Sequence, residues 1–170
     1  MNLQLTNLMG AVAIAIADCI QNTAEETTGQ SASFPAALVI IDRYPAITVD
    51  LLGQYLQLSQ SGAARLVERL VDRKLVERHR GSDRRFVQLQ LTSAGHAMVQ
   101  KIQRAKFEAV FNLLKPLTAQ EQQQLLSLLS KLAEQSQSKE LAEEYICRFC
   151  DIQACPLSTC QEQVQAWRET

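Results

Sequence analysis

The most regular hydrophobic pattern in the chain runs through residues 59–73, where apolar side chains recur at helical spacing. One face is apolar and comprises Ala63, Leu66, Val67, Leu70 and Val71. The opposite face is polar or short-chained and comprises Ser61, Ala64, Arg65 and Glu68. The Ser59 hydroxyl is expected to cap this helix by accepting a hydrogen bond from a first-turn backbone N–H. The pattern predicts a helix that buries one face and brings the other close to base edges in the major groove of DNA.

The next stretch alternates between polar and apolar positions. Residues 75–78 and 86–91 are predicted strands, and Val87, Leu89 and Leu91 share one face of the second strand. Residues 79–85 between the strands form a basic loop rich in turn-forming residues. A helix-turn-helix followed by such a ribbon is a winged helix, so the predicted fold is mostly α with a small β-wing. The helix and the ribbon both present arginines, which suits adjacent grooves of a duplex.

At these positions the chain resembles the MarR family of bacterial transcriptional regulators. The shared motifs are Leu51-Leu52-Gly53, Ser59-Gln60-Ser61, Arg65-Leu66-Val67-Glu68-Arg69-Leu70, Lys74-Leu75-Val76, Asp83-Arg84-Arg85 and Leu91-Thr92-Ser93-Ala94-Gly95. The family's wing carries an Asp-x-Arg motif, which Asp83 and Arg85 supply here. In the family, the aspartate holds the wing in shape and basic wing residues reach the minor groove. The resemblance implies a homodimer that binds pseudo-palindromic DNA and is often released by a small molecule or an oxidant.

The candidate DNA contacts lie on the helix and the wing. They are Ser59, Gln60, Ser61, Ala64, Arg65, Arg69, Arg80, Asp83, Arg84 and Arg85. Residues 59–91 contain eight Lys or Arg against four Asp or Glu, a charge of +4, and the net charge of −1 leaves −5 for the rest of the chain. A basic patch on an acidic body is typical of a site-specific DNA binder. The alternative is a solvated basic hairpin with no ligand.

Helical patterns flank the winged helix on both sides. Residues 2–23 are apolar on both faces, residues 25–33 form a polar loop, and residues 35–43 and 49–56 are predicted helices, the latter capped by Thr48. Thr92 is expected to cap a helix over 93–115, whose main stripe is Met98, Ile102, Ala105 and Ala109. Thr118 and Glu121 form a capping box for a helix lined by Leu125, Leu128, Leu129 and Leu132. These helices fit a two-fold dimer bundle, and a purely monomeric core is the alternative.

The expected organisation is a winged helix-turn-helix flanked by N- and C-terminal dimerisation helices. Residues 1–33 form the N-terminal dimerisation helix and loop, residues 34–92 the DNA-binding domain, and residues 93–138 further dimerisation helices. Residues 139–170 form a cysteine-rich tail. Short helices are predicted over 141–146 and 161–168, and Trp167 in the second is expected to pack back on the body.

The tail concentrates four of the five cysteines, at Cys147-x2-Cys150-x4-Cys155-x4-Cys160. In a cytosolic protein this density indicates metal or redox chemistry. The spacing is that of a zinc knuckle, and four thiolates suit a structural Zn²⁺, with Arg148 offsetting part of the negative charge. The alternatives are a redox-active thiol switch without metal, an iron–sulfur cluster or inert thiols. If the cluster is the input, the chain is a redox- or metal-responsive regulator. Cys19 is expected to be a core residue.

Several other function classes have little support in the sequence. No segment is expected to cross a membrane, and no positive charge precedes Arg43 as a secretory signal would require, so the chain is expected to be cytoplasmic. No catalytic or phosphate-binding motif is visible, and His79 and His96 are expected to be solvated, so the chain is not expected to be an enzyme. Regulation is expected from an unidentified ligand bound between the dimer bundle and the DNA-binding lobe. An adaptor without DNA binding and an RNA-binding tail are weaker alternatives.

Overall fold

The computed structural model describes residues 2–31, 33–80, 87–136, 145, 147–156 and 158–168. The helices are α1 (Leu3–Thr28), α2 (Ser33–Arg43), α3 (Val49–Tyr55), α4 (Gln60–Asp72), α5 (Ser93–Leu114), α6 (Ala119–Ser136) and α7 (Ser158–Arg168). Strands β1 (Val76–Arg80) and β2 (Val87–Leu91) pair antiparallel, and a short 3-10 turn spans Ile152–Ala154. The mostly helical architecture with a small β-wing is confirmed.

Helix α2 lies at the centre of the molecule. Every residue from Phe34 to Ile41 is buried, because α1, α3, α4, α5 and β2 all pack against this helix. Its centre, Leu38 to Ile41, is at most 3% exposed. A helix that is apolar on all sides needs neighbours on all sides, and α2 has them. The helix-turn-helix half and the long flanking helices therefore share one core.

Four helix starts predicted from local sequence are confirmed by side-chain caps. Each hydroxyl accepts a backbone N–H hydrogen bond at 3.0 to 3.3 Å: Thr48 from Leu51, Ser59 from Gly62, Thr92 from Gly95 and Thr118 from Glu121. The Glu121 carboxylate in turn accepts from the Thr118 backbone N–H at 2.8 Å, which completes the capping box. This bond and the Thr118 hydroxyl lower the pKa of Glu121.

Helix α1 is longer than predicted. Its expected end at residue 23 and the expected loop from residue 25 are wrong, because the helix continues to Thr28 and ends at Gly29, whose φ is +63°. The Thr27 and Thr28 hydroxyls donate to the carbonyl oxygens of Thr23 and Ala24 at 2.7 and 3.0 Å. These bonds bring the polar threonines into the last helical turn, and glycine then ends the helix in the left-handed conformation.

Helix α1 also corrects the expectation that no segment could cross a membrane. By length and composition it is long and apolar enough to do so, and it is the one such helix in the part of the chain described. Asp18 is its only charged residue before Glu25, and both of its faces are apolar. The helix packs against α5 and leaves its other apolar side chains exposed. A helix that packs against another protein chain is also rich in apolar residues, so the composition of α1 fits an interface as well as a membrane span.

The β-ribbon is anchored to the core through β2. Leu89 is fully buried, its N–H donates to the Ile47 carbonyl at 2.9 Å, and its carbonyl accepts from the Ala46 N–H at 3.2 Å. The α2–α3 connection therefore pairs with the ribbon, which fixes the direction of the wing. The predicted alternation places Leu89 inside, whereas Val87 is 42% exposed. Residues 81–86, the turn of the wing, lie outside the described residues.

The buried face of α5 differs from the predicted stripe. Gly95, Val99 and Ile102 are buried, whereas Met98, Ala105 and Ala109 are only half-buried. Helix α5 packs against α1, α2 and β2 at once. The buried side of its first half is therefore shifted around the helix from the predicted stripe.

Large apolar side chains remain exposed on α1, α5 and α6. They include Leu3, Leu5, Leu8, Val12, Ile14, Phe107, Phe111, Leu126, Leu128, Leu129 and Leu132. All of these residues are 44 to 68% exposed. Exposure of large apolar side chains along three helices is typical of an interaction surface.

Candidate nucleic-acid interface and cysteine cluster

Helix α4 has the two faces that its sequence predicts. Ala63, Leu66, Val67 and Leu70 are buried against the core, and Val71 is half-buried. Ser59, Gln60, Ser61, Arg65 and Glu68 are exposed, and Ala64 is half-buried. The exposed face combines short polar side chains near the helix start with an arginine one turn later. It presents hydrogen-bond donors and acceptors on a surface open to an incoming duplex.

A close approach between α3 and α4 sets the helix-turn-helix geometry. A Cβ on Gly53 would lie 3.0 Å from that of Ala63, so glycine is what allows the two helices to pack this closely. The turn between them places Gln57 at φ +55°, and the Leu58 N–H donates to the Gly53 carbonyl at 2.8 Å. The glycine of the Leu51-Leu52-Gly53 motif thus has a packing role.

The two arginines predicted for α4 have different surroundings. Arg65 is exposed, and its Nε donates to the Ser61 carbonyl of its own helix at 3.3 Å. Arg69 donates to the Gln30 side chain and lies 5.4 Å above the ring of Phe34. Arg69 therefore joins α4 to the connection between α1 and α2, a role that the sequence did not indicate. Its contact with DNA stays a prediction.

The wing supplies a second basic surface. Arg78 and Arg80 are exposed on β1, where they pair with Leu89 and Val87 of β2. Asp83, Arg84 and Arg85 lie outside the described residues, so their roles stay predictions. Within the described part of the ribbon, the predicted Arg80 is accessible and Arg78 is a further basic side chain beside it.

The cysteine-rich segment is attached to the body through two cations. The buried Arg43 at the end of α2 donates through one nitrogen to the carbonyl oxygens of Cys147 and Cys150, both at 2.8 Å. Lys106 on α5 donates to the Phe149 carbonyl at 2.7 Å. Arg43 is 5% exposed. No local signal could have predicted these contacts, because the paired residues are separated by 104, 107 and 43 positions along the chain.

The thiols of the tail are gathered together. The Cys147 thiol is hydrogen-bonded to those of Cys150 and Cys160, and the Cys160 thiol also to that of Cys155. None of these thiols forms a disulfide. In the described part of the chain, however, no three His, Cys, Asp or Glu side chains already have the arrangement of a metal site. The four sulfurs are linked by pairwise contacts.

The electrostatics of the cluster are asymmetric. The hydrogen bond from Cys147 lowers the pKa of Cys150, and the charges of Arg43 and Lys106 lower it further. The same hydrogen bond and burial raise the pKa of Cys147, and burial raises that of Cys160. Burial lowers the pKa of Lys106. Arg148 stacks 4.0 Å from the ring centre of Tyr145, so the cations beside Cys150 are Arg43 and Lys106.

Helix α7 packs back onto the winged helix, as the sequence predicted. Trp167 donates from its indole nitrogen to the Pro45 carbonyl at 3.0 Å and meets the ring of Tyr44 edge-on, with ring centres 5.3 Å apart. Val164 on the same helix is 4% exposed. The expected short helix over 141–146 lies almost entirely outside the described residues. Cys19 is half-buried on α1.

A pocket of 520 Å³ lies between α2, α5 and the tail. Its lining includes Val39, Asp42, Val99, Gln103, Phe107 and Cys150. The Gln103 Oε1 atom is buried and accepts no hydrogen bond from any residue that the structure describes. His96 is exposed as expected, but its Nδ1 lies 2.9 Å from Asp42 Oδ1 beside the pocket. The lining combines a few apolar side chains with many charged and amide groups, Arg43, Arg104 and Glu108 among them, so a ligand bound there must satisfy polar as well as apolar groups.

Comparisons with known proteins agree with this geometry. The sequence profile of the MarR family matches residues 35–85. No curated protein has a sequence that matches the chain significantly. Among solved structures, wild-type apo MarR from E. coli is 26% identical with a TM-score of 0.65, and the match covers 75% of this chain and 95% of that one.

Two further structures share the fold. RV1404 from Mycobacterium tuberculosis has a TM-score of 0.70 at 18% identity, covering 82% of this chain and 97% of that one. A point mutant of MepR from S. aureus, bound to an oligodeoxyribonucleotide, has a TM-score of 0.59 at 18% identity, covering 78% and 98%. The matched residues 35–85 include α3, α4 and β1, whose geometry is that of a helix-turn-helix with a wing. The chain belongs to the MarR family of winged helix-turn-helix DNA-binding transcriptional regulators.

Proposed function

We propose that this chain is a homodimeric, sequence-specific repressor that binds a pseudo-palindromic operator and leaves it when a small ligand binds. The observation that carries the proposal is the exposed face of α4, where Gln60, Ser61 and Arg65 stand clear of the core while the opposite face is buried. Arg80 on the wing adds a cation that would lie along the backbone of the same duplex. MepR bound to an oligodeoxyribonucleotide shares this fold.

The exposed apolar surface supports the homodimer. Leucines on α6 and most of the apolar side chains in the first half of α1 remain exposed in the single chain, with Leu8 61% and Leu128 58% exposed. A two-fold interface would bury these helices and place two copies of α4 side by side. Two recognition helices one helical turn apart read a palindrome, whereas a single copy would read only half of it.

The pocket between α2 and α5 supports release by a ligand. It borders the central helix of the DNA-binding half and also α5, which would belong to the dimer bundle. A ligand there would bind preferentially to one relative arrangement of the two halves and would shift the population toward it. Repression follows if the operator overlaps a promoter, and a cytoplasmic location follows from binding chromosomal DNA.

Selection of bound duplexes from a random DNA library tests the proposal. Wild-type protein should enrich a two-fold symmetric motif with half-sites about 10 bp apart. The Arg65→Ala variant should bind the enriched duplex about tenfold to a hundredfold more weakly, if Arg65 makes a bidentate base contact. Lys101→Ala, which removes an exposed charge from α5, should bind like the wild type.

Each result decides between the proposed function and its alternatives. Enrichment of an asymmetric motif would contradict the homodimer, and failure to enrich any motif would contradict sequence-specific binding. A reporter gene placed behind the enriched motif should fall in expression when the protein is present. A rise in expression would identify an activator instead of a repressor.

A further inference from the structure

The four tail cysteines form a cluster that DNA binding does not use. They come from three local structures: the turn at residues 147–150, the position after the 3-10 turn Ile152–Ala154, and the first turn of α7. The segment between Cys147 and Cys160 therefore folds back so that its first and last cysteines are in contact. Folding of so short a segment normally needs a covalent or metal cross-link, because it has little core of its own.

We propose that Cys147, Cys150, Cys155 and Cys160 bind one Zn²⁺ and that this ion holds the C-terminal helix against the winged helix. Four sulfur donors in a reduced cytosolic protein are the set that structural zinc prefers. The pairwise thiol contacts show that the sulfurs already lie close together. Because no three of them are yet arranged around an ion in the described structure, binding must draw the thiols inward and release their protons.

The protein surrounding the cluster suits an anionic site. A zinc ion with four thiolates carries two negative charges, and nearby positive charges and N–H donors stabilise such a centre. Arg43 and Lys106 lie next to Cys150 and hold the carbonyl oxygens of Cys147, Phe149 and Cys150. They come from α2 and α5, so the centre would be attached to the core at two separate helices.

Zinc bound at this cluster would also stabilise the contact between α7 and the DNA-binding half. Cys160 lies in the first turn of α7, and Trp167 near its end packs on Tyr44 and Pro45, in the connection that leads into α3. The metal would therefore fix one end of α7 while Trp167 fixes the other. Loss of the ion would release the helix from the connection that also pairs with the β-ribbon.

Metal content and Trp167 fluorescence together test this proposal. Protein purified in reductant without added metal should contain about one Zn²⁺ per chain by mass spectrometry. Removing the ion with a chelator should shift Trp167 emission to the red, and stoichiometric Zn²⁺ should restore it. Trp167 is the only tryptophan in the chain, so its emission reports α7 alone. Co²⁺ in place of Zn²⁺ should give the intense sulfur-to-metal absorption and visible bands of a tetrahedral thiolate site.

The matched variants are Cys155→Ser, which removes one donor, and Cys19→Ser, which removes the cysteine outside the cluster. Cys155→Ser should lose stoichiometric zinc and show red-shifted emission, whereas Cys19→Ser should keep both properties of the wild type. A visible absorption with bound iron would overturn the assignment in favour of a cluster. Metal-free protein with fewer than five titratable thiols would overturn it in favour of disulfides, and metal-free protein with all thiols reactive would leave no site.

Discussion

The indole nitrogen of Trp167 donates a hydrogen bond to the carbonyl oxygen of Pro45, 3.0 Å away and 122 residues earlier in the chain. The contact joins the C-terminal helix to the connection between α2 and α3. The same connection pairs with β2 through Ala46 and Ile47, so one short stretch of backbone lies between the tail and the wing. Helix α7 is therefore packed directly against the winged helix.

Replacing Trp167 should separate the tail from the body. In Trp167→Ala the ring contact with Tyr44 and the hydrogen bond both disappear, which should cost about 2–4 kcal/mol of unfolding free energy in urea monitored by circular dichroism. Trp167→Phe keeps an aromatic ring and should lose about 1 kcal/mol. Limited proteolysis should cut near α7 much faster in the alanine variant. Equal protease resistance in both variants and the wild type would show that α7 does not depend on this contact.

Gly95 should be intolerant of even a methyl group. A Cβ at this position would lie 2.1 Å from the Leu75 carbonyl oxygen, and backbone cannot move aside as a flexible side chain can. Gly95→Ala should therefore destabilise the protein by at least about 3 kcal/mol, in the range of severe core overpacking, measured by thermal or urea unfolding.

Helix propensity alone predicts the opposite effect, because alanine stabilises a helix relative to glycine. The exposed Ala97 measures the size of this propensity effect in the same helix. Ala97 is exposed two residues further along α5, and Ala97→Gly should cost about 1 kcal/mol through propensity alone. Propensity would thus make Gly95→Ala stabilising. A gain in stability for Gly95→Ala would mean that α5 does not approach the Leu75 carbonyl as closely as described.

Charge on the exposed leucine face of α6 should prevent dimer formation. Leu128→Glu places a carboxylate on a surface that the proposed homodimer buries, and burial of an unpaired charge is costly. The variant should sediment as a monomer at concentrations where the wild type is a dimer, and its affinity for operator DNA should fall at least about tenfold.

Gln123→Glu is the control for this experiment, because Gln123 is exposed on the side of α6 away from Leu128, Leu129 and Leu132. It adds the same charge and should leave the sedimentation of the dimer unchanged. A wild-type protein that sediments as a monomer would refute the proposed dimer, as would a Leu128→Glu variant that remains dimeric.

Arg65 and Arg80 should contribute to DNA binding in different ways. Arg65→Ala should cost about 1–3 kcal/mol on the preferred duplex and little on unrelated DNA, because a base contact specifies sequence. Arg80→Ala should weaken binding to all duplexes similarly and reduce the slope of log affinity against log salt by about 1, because a phosphate contact releases a counterion. Fluorescence anisotropy titrations at several salt concentrations separate the two. Identical effects of both variants on both duplexes would contradict these roles.

Local sequence was sufficient for the parts of the fold that local interactions determine. The caps at Thr48, Ser59, Thr92 and Thr118 satisfy donors within a few residues, so a hydroxyl before a helical pattern identifies them. The buried and exposed faces of α4 follow from spacing alone in the same way. The end of α1 was missed because threonine hydroxyls bonding back to the helix let polar residues continue it.

Contacts between distant residues could not be predicted from pattern. Arg43 is the last residue of an apolar helix in the sequence, and only the folded chain shows that it holds the carbonyls of Cys147 and Cys150. Arg69 was predicted to contact DNA. Its hydrogen bond to Gln30 and its contact with the Phe34 ring depend on how the chain passes from α1 into α2. The contacts of these arginine side chains depend on which distant residues the tertiary fold brings next to them.

Hydroxyl-radical footprinting of the selected duplex tests the central claim most directly. Two copies of α4 and its wing should protect two half-sites about 10 bp apart, on the same side of the duplex and symmetric about its centre. Arg65→Ala should need about tenfold to a hundredfold more protein than the wild type to give the same two protected regions. A single protected half-site, or a footprint that Arg65→Ala leaves unchanged, would contradict the claim.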